Sequence, residues 1–318
     1  MAGMGSCRGE MRQCEERWRF GKERSQERKS GIGSGFEKIV LFVVALVMSV
    51  VVQPVTAQSM HSTSALEQGR LASLATPRST LWMSRFIDGF GEQYFSGILM
   101  GEHQGRSWGI TAGHGFELGH TFRAGNGTNR INNRGQEFNV TSFITHPTVA
   151  PGGFNGTEID IAVFFLDGLV TGTPYPTIGS AVLNQVVSYD GFGRPGTPAG
   201  LLPGDGHRRT FQTYADFFGS FGTISTDYIL GGFVSSGPRF LPLGGVMTTG
   251  NSGSGVYNSA GDLVAMSVAS SGSPGYLGST ISLRLDLYQP WINSVVPSPG
   301  AASLLLLGGL LAARRRRG

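Results

Sequence analysis

Short apolar runs are the feature of this sequence that most limits its fold. From Leu81 onward, runs rich in Val, Ile, Phe and Leu alternate with Gly, Asn and Pro. Runs of this length between such turn-forming residues are typical of strands. The runs predicted to be strands are 94–100, 107–111, 138–144, 159–166, 182–189, 209–214, 228–230, 255–257, 262–268 and 279–283. This pattern favours a β-barrel or β-sandwich over a helical protein.

The charge of the chain is concentrated at its ends. The net charge of +4 comes from 25 basic and 21 acidic residues. Nine of the basic residues precede Ile39, and four arginines lie at the C-terminal end. The segment between them contains 12 basic and 15 acidic residues. This distribution does not favour a nucleic-acid partner, and we interpret the basic termini as topology signals.

Both cysteines, Cys7 and Cys14, also precede Ile39. The body of the chain therefore contains no disulfide and no thiolate zinc site. Its His, Asp and Glu residues do not show the spacing of metal ligands, and we expect neither a metal ion nor a cofactor. The fold is expected to depend on core packing, which roughly 200 residues can supply.

A serine-containing motif is the first candidate for chemistry. Residues 249–256 read Thr-Gly-Asn-Ser-Gly-Ser-Gly-Val and precede the apolar run 262–266. A serine is a poor nucleophile unless a base removes its proton and donors stabilise the oxyanion. Flanking glycines allow a sharp turn in which neighbouring N–H groups point at one place. A plain Gly/Ser surface turn is the alternative, so the motif needs support from elsewhere.

Two upstream segments give that support. Residues 108–115 read Trp-Gly-Ile-Thr-Ala-Gly-His-Gly, and residues 158–165 read Glu-Ile-Asp-Ile-Ala-Val-Phe-Phe. With the serine motif, they make the chain resemble the trypsin/chymotrypsin-like serine peptidases over roughly 95–295. That family places its histidine in Thr-Ala-x-His, its aspartate before an Asp-Ile-Ala-like strand and its serine in Gly-Asp-Ser-Gly. The order is the same here, and the intervals of 46 and 92 residues are close to the family's.

The resemblance implies an all-β fold of two six-stranded antiparallel Greek-key barrels, chymotrypsin-like, with a short C-terminal helix. We predict the first barrel over 81–175 and the second barrel with the closing helix over 176–295. The segment 171–176 is the predicted crossover between them, and 285–295 contains the predicted helix. Residues 58–80, which contain few large apolar side chains, are predicted to form an extended lead-in.

The resemblance also assigns roles to individual residues. His114 is expected to act as general base toward Ser252 and then as general acid to the leaving amine. Asp160 is expected to hold the imidazole in the correct tautomer. The backbone N–H groups of Gly250 and Ser252 are expected to form the oxyanion hole.

Other residues compete for these roles. Ser254 is the alternative nucleophile, and Glu158 and Asp167 are the alternative acids. A catalytically inactive barrel that serves as a surface binding or structural module is the alternative function. The histidines outside the expected motif are His61, His103, His120, His146 and His207.

One departure from the family concerns activation, and another position concerns specificity. Trypsin has an aspartate before the serine, and this chain has Asn251, which carries no charge to pair with a new N-terminus. We therefore expect no activation by N-terminal insertion. The floor of the specificity pocket is expected at Val246, with Met247 beside it. Because neither residue is acidic, we expect protein or peptide substrates that carry an apolar or small residue before the cleaved bond.

The N-terminal region has the pattern of an export signal. Residues 39–52 are an uncharged apolar run of 14 residues, which suits a signal-peptide core and is short for a membrane span. The small residues Val55 and Ala57 predict cleavage by signal peptidase after Ala57, so that 1–57 is a leader. A downstream start at Met4 or Met11, or retention of the helix as an anchor, are the alternatives.

The C-terminal region 296–318 has a second topology signal. Val-Pro-Ser-Pro leads into an apolar stretch of 13 residues, 301–313, and then into four arginines. This segment resembles the PEP-CTERM sorting tails of Gram-negative bacteria, which implies processing by a membrane transpeptidase; a plain tail anchor is the alternative. We therefore expect an exported protein of the cell envelope, cell surface or medium, whose precursor contacts the membrane through its terminal segments.

Overall fold

The computed structural model describes residues 58–296, except 77, 88, 90, 150–158, 222–223 and 273. The chain divides into two compact units, Met1–Val51 and Val52–Gly318, and every described residue belongs to the second. The predicted leader 1–57 lies outside the described residues, as does the predicted sorting tail beyond residue 296. Within the described part of the chain, no helix is long and apolar enough to cross a membrane.

The lead-in predicted to be extended is mainly helical. It begins with strand β1 (Gln58–Met60) and continues as helix α1 (Thr63–Ala75). Ser62 caps the helix, since its Oγ accepts the Ala65 N–H at 3.1 Å. Gly69 of this helix packs closely on the strand that contains Thr210: an added Cβ would lie 2.6 Å from the Thr210 carbonyl oxygen. The buried face of this helix consists of one large apolar residue, Leu66, and the small residues Ala65, Gly69 and Ser73, so a count of large apolar residues does not detect it.

The first half is a closed barrel of six antiparallel strands, as predicted. The barrel closes because its first strand pairs with both the second and the fourth. Its interior contains Leu81, Phe95, Phe116 and Phe164, all buried. The strands are β2 (Thr80–Ile87), β3 (Gly91–His103), β4 (Arg106–Thr111), β5 (Thr121–Gly125), β6 (Glu137–Thr145) and β7 (Ala162–Leu166).

The second half contains a seven-stranded sheet and a smaller four-stranded one. Its strands are β8 (Val186–Gly191), β9 (Pro195–Thr197), β10 (Gly200–Leu201), β11 (Arg209–Tyr214), β12 (Phe217–Phe221), β13 (Ile224–Gly232), β14 (Gly245–Val246), β15 (Gly255–Tyr257), β16 (Leu263–Ser271) and β17 (Ser279–Arg284). The large sheet has the order β11-β8-β15-β16-β17-β13-β12, and the small one β10-β9-β1-β14. The all-β, chymotrypsin-like fold class is thus confirmed. The second half is a half-barrel with a seventh strand, because its edge strands β11 and β12 do not pair.

A short helix ends the described chain, as expected. Helix α2 (Gln289–Val295) carries Pro290 in its first turn, where the missing N–H costs nothing. Its Ile292 is buried in a core shared by both halves. The first barrel contributes Ile98 and Ile110 to this core, and the second half contributes Met266 and other residues. The two halves are therefore packed on one another along the line where the candidate site lies.

Candidate active site

His114 follows strand β4 in a short 3₁₀ turn, Gly113–Gly115. The glycines permit close packing there: a Cβ on Gly113 would lie 2.9 Å from Val149, and one on Gly115 would lie 2.9 Å from Phe95. The turn aims the His114 side chain into the cleft between the two halves, and about a quarter (27%) of that side chain remains exposed.

Asp160 holds this turn and the imidazole together. It lies just before β7 and is fully buried. Its Oδ1 accepts the backbone N–H of His114 at 2.8 Å, and its Oδ2 lies 2.6 Å from His114 Nδ1. A buried carboxylate needs such donors, because its charge is otherwise costly to desolvate. The carboxylate therefore keeps a proton on Nδ1, so that Nε2 is the ring nitrogen that can accept one.

The alternative acids do not occupy this position. Asp167 lies at the other end of β7, where its carboxylate accepts the Asn139 N–H at 3.0 Å and the Asn139 side-chain amide at 2.7 Å. Glu158 lies outside the described residues. Asp160 is thus the acid that contacts His114 within the described chain.

Ser252 completes the arrangement from the second half. Its Oγ lies 3.0 Å from His114 Nε2, which is hydrogen-bonding distance. The turn rests on the first barrel, since Ser96 of β3 donates its N–H to the Ser252 carbonyl oxygen at 2.9 Å. Gly253 has φ +83, and a Cβ there would lie 2.1 Å from the Ser96 carbonyl oxygen. Only glycine fits this close approach of the turn to β3.

Ser254, the alternative nucleophile, faces away from the imidazole. It is fully buried, and its Oγ accepts the side-chain amide of Asn251 at 3.4 Å. A Cβ on Gly191 would lie 1.8 Å from that Oγ. The hydroxyl of Ser254 therefore packs against β8 and not against His114.

The two predicted oxyanion donors belong to peptide groups whose carbonyls are engaged. The Thr249 carbonyl accepts the Arg194 N–H at 3.0 Å, and the Asn251 carbonyl accepts the Ser254 N–H at 2.8 Å. In a trans peptide the N–H points opposite to the carbonyl. Among the described residues, no acceptor binds the N–H of Gly250 or of Ser252. Both donors are therefore held in place and available to a ligand.

Asn251 stabilises the same turn. It is fully buried, and its Oδ1 accepts the Thr248 N–H at 3.2 Å and the Thr248 hydroxyl at 3.0 Å. A Cβ on Gly193 would lie 1.9 Å from Oδ1. The amide oxygen at this position is thus satisfied by the turn itself. This supports the expectation that Asn251 does not form an ion pair with a new N-terminus.

The pKa of His114 reflects two opposing influences. Burial lowers the pKa of the ring, but the charge and the hydrogen bond of Asp160 outweigh this effect and raise the pKa above the ordinary value of 6.5. The positive charge of Arg85 on β2 acts in the opposite direction to Asp160. The imidazolium that forms during a proton transfer is therefore stabilised.

The predicted specificity residues lie on the second-half side of the turn. Val246 and Met247 are both buried. Val246 belongs to β14, whose partner is the N-terminal strand β1, with Ser59 opposite Val246. The Met247 N–H donates to the Thr280 hydroxyl at 3.2 Å. The contribution of β1 to this region could not be found in the sequence, because two residues of strand pairing leave no periodic signal.

The remaining histidines have other surroundings. His61 packs in a cluster of aromatic rings with Phe233 and Phe240, and its Nε2 lies 2.9 Å from the Leu241 carbonyl oxygen. His207 Nδ1 lies 3.1 Å from the Asn129 amide. Within the described residues, no group of three His, Cys, Asp or Glu side chains has an arrangement that could hold a metal ion.

The fold and the site together define the architecture of a trypsin/chymotrypsin-like protease with a Ser-His-Asp arrangement in its cleft. No protein-family model matches the chain, and no curated protein sequence matches it. Among solved structures, the chain is similar to the scabies mite inactivated protease paralogue S-I1, with a TM-score of 0.52 and 13% identity. The similarity covers 69% of this chain and 93% of that one. At this identity it shows the fold alone.

Proposed function

We propose that this chain is a serine endopeptidase that cleaves peptide bonds through an acyl-enzyme. One observation carries the proposal: the His114 ring bridges the buried Asp160 carboxylate at 2.6 Å and the Ser252 hydroxyl at 3.0 Å. Nε2 takes the hydroxyl proton as Oγ attacks the peptide carbonyl. The N–H groups of Gly250 and Ser252 stabilise the oxyanion, and His114 then protonates the leaving amine. Water, activated by His114, releases the acyl group.

The alternative function is a barrel that has lost catalysis and acts as a binding or structural module. The similar structure, an inactivated protease paralogue, is the observation that favours it. Two features of this chain weigh against it. The three side chains are in contact, and the Gly253 turn and the free N–H groups are preserved around them. A protein without catalysis has no need for two unpaired N–H groups beside a serine that contacts an imidazole.

A fluorophosphonate probe tests the proposal directly. We expect it to modify the folded protein at Ser252, because the reaction needs an activated hydroxyl beside oxyanion donors. Mass spectrometry of the digested protein locates the adduct, and heat-denatured protein is the control. An adduct on Ser254, or equal labelling of folded and denatured protein, would contradict the proposal.

A second prediction concerns pH. Because only the neutral imidazole can accept the Ser252 proton, kcat/KM rises as His114 loses its own proton. The pKa of His114 is raised by Asp160, so the midpoint of this rise is expected above pH 6.5. Replacing Arg85 with Gln removes the opposing charge and moves the midpoint further up. A rate that stays flat between about pH 5 and pH 8 would count against a histidine base.

The export of this enzyme remains a proposal from the sequence. We propose that signal peptidase removes the leader after Ala57 and that a PEP-CTERM-type transpeptidase processes the tail. The enzyme would then act on proteins or peptides of the cell envelope, the cell surface or the medium. The first strand that the structure describes, β1, begins at Gln58, the residue after the proposed cleavage point.

A further inference from the structure

Arg130 lies beside the candidate site and has no carboxylate partner among the described residues. It is held in the loop between β5 and β6, where its N–H donates to the Gly206 carbonyl at 3.0 Å. The neighbouring Asn129 fixes this loop, since its Oδ1 accepts the Ile131 N–H at 2.8 Å and its amide donates to the Asp205 carbonyl at 3.0 Å. The loop therefore presents the guanidinium in one place.

The guanidinium is partly buried and makes one hydrogen bond within the described part of the chain. Its carbon lies 4.3 Å from the centre of the Tyr94 ring, and one Nη donates to the Phe192 carbonyl at 3.2 Å. Its Nε is buried and has no hydrogen-bond partner. In the described part of the chain, no carboxylate oxygen lies within 4.0 Å of it. Burial lowers the pKa of Arg130, which is the cost of keeping the charge there.

The nearby carboxylates are already bound by other groups. Glu92 accepts the Tyr94 hydroxyl and lies 3.8 Å from Arg134. Asp205 is paired with Arg209. An arginine that is partly buried and has no carboxylate partner among the described residues is costly to keep charged, and a carboxylate on a ligand would reduce this cost.

The position of Arg130 connects it to the reaction. A Cβ on Gly250 would lie 3.1 Å from the Phe192 carbonyl oxygen, which Arg130 contacts, and 3.6 Å from that of Tyr94. Ser96 follows Tyr94 by two residues on the same strand, and its hydroxyl donates to the Gly250 carbonyl at 2.7 Å. Arg130 thus flanks the oxyanion turn on the side of the first barrel, and Val246 and Met247 lie on the side of the second.

We propose that Arg130 is a specificity-determining residue that binds a carboxylate on the leaving-group segment of the substrate. The inference rests on the proposed peptidase function. With the acyl residue in the pocket expected at Val246 and Met247, on one side of the oxyanion turn, this proposal places the segment beyond the cleaved bond on the opposite side, where Tyr94 and Arg130 lie. A carboxylate there accepts hydrogen bonds from the guanidinium N–H groups, a pairing that suits the planar shape of both groups. Its source is an acidic side chain or the C-terminal carboxylate of a peptide.

Two pairs of quenched fluorescent peptides test the inference and separate these sources. All share one acyl segment with a small apolar residue before the cleaved bond. The first pair carries Glu or Gln two residues after that bond and an amidated end. Each peptide of the second pair has only two residues after the cleaved bond, and the second of these ends in a free carboxylate in one peptide and in an amide in the other. In at least one pair, we expect wild-type kcat/KM to be about tenfold or more higher for the carboxylate member.

Variants then assign the preference to one arginine. Arg130→Gln is expected to bring the carboxylate-to-amide ratio close to one, and Arg130→Lys to restore part of it. Arg106→Gln is the matched control, because Arg106 is an exposed arginine of the same barrel at the start of β4, and His114 follows the other end of that strand. That control is expected to keep the wild-type ratio.

The outcomes distinguish this inference from the proposed function. Cleavage and fluorophosphonate labelling with equal rates within both wild-type pairs would overturn the role of Arg130 and leave the peptidase intact. If Arg130→Gln is folded, as tested by thermal denaturation, and keeps the wild-type carboxylate-to-amide ratio, the role of Arg130 is likewise overturned and the peptidase proposal is not. Wild-type protein that neither reacts with the probe nor cleaves any peptide would overturn both proposals.

Discussion

Replacing Ser252 with alanine is expected to lower kcat for peptide hydrolysis on the order of a million-fold. The Ser252 hydroxyl lies 3.0 Å from His114 Nε2, and it is the group that forms the acyl-enzyme in the proposed mechanism. Alanine removes this atom and leaves both backbone N–H groups of the oxyanion hole in place, that of Gly250 and that of position 252 itself. A small residual rate over water is expected from those donors and from substrate binding. Steady-state kinetics on a cleavable peptide measure the change.

Ser254→Ala is the control for this prediction. Its hydroxyl is fully buried and bonded to Asn251 on the side away from His114. The variant is therefore expected to keep most of the wild-type kcat, with at most a modest loss of stability. A loss of similar size in both variants would mean that the turn, rather than the Ser252 hydroxyl, determines activity. That result would contradict the assignment of Ser252 as the nucleophile.

The strands of the closed barrel were only partly predictable from the sequence, because local pattern and final structure agree in some of them and not in others. Strand β4 reads as an apolar run, and its buried residues match that pattern. Strands β2 and β5 were not among the predicted runs, although both are needed to close the barrel. Strand β5 (Thr121–Gly125) contains an arginine and a glycine, and only its pairing with β2 and β6 makes it a strand. Tertiary pairing overrides weak local preference here.

The strand predicted at 182–189 shows how turn chemistry limits such predictions. The observed strand β8 starts at Val186. Residues before it are not in a strand, and Asn184 has φ +64, in the left-handed region where asparagine is tolerated. Apolar Val182 and Leu183 are more than a third exposed. Hydrophobicity alone therefore extended the predicted strand beyond its true start.

The residues of the candidate site were predictable for a different reason. His114, Asp160 and Ser252 each follow or precede a strand, in motifs whose residue types the chemistry requires. The structure brings all three into contact. Arg130 had no such signal, because its significance depends on the absence of a carboxylate partner among the described residues and on contacts with Tyr94 and Phe192. Such features arise only when distant loops meet.

Replacing Asp160 with asparagine is expected to lower kcat/KM about 10⁴-fold near neutral pH. The reason lies in the two bonds of the carboxylate. Its Oδ1 accepts the backbone N–H of His114 at 2.8 Å, and this N–H can only donate. In the variant the amide oxygen must occupy that position, so the NH₂ group faces Nδ1. Nδ1 then has to accept, the ring proton moves to Nε2, and the imidazole can no longer take the Ser252 proton.

Two measurements separate this mechanism from simple unfolding. Asp167→Asn makes the same chemical change at an exposed carboxylate at the far end of β7, and it is expected to leave kcat/KM nearly unchanged. In Asp160→Asn, the loss of the negative charge that raises the pKa of His114 should lower this pKa, so protonation of the imidazole should move to lower pH in an NMR titration. A folded Asp160→Asn variant with wild-type kcat/KM would show that the imidazole does not depend on this carboxylate. The assignment of Asp160, and the proton transfer derived from it, would then fail.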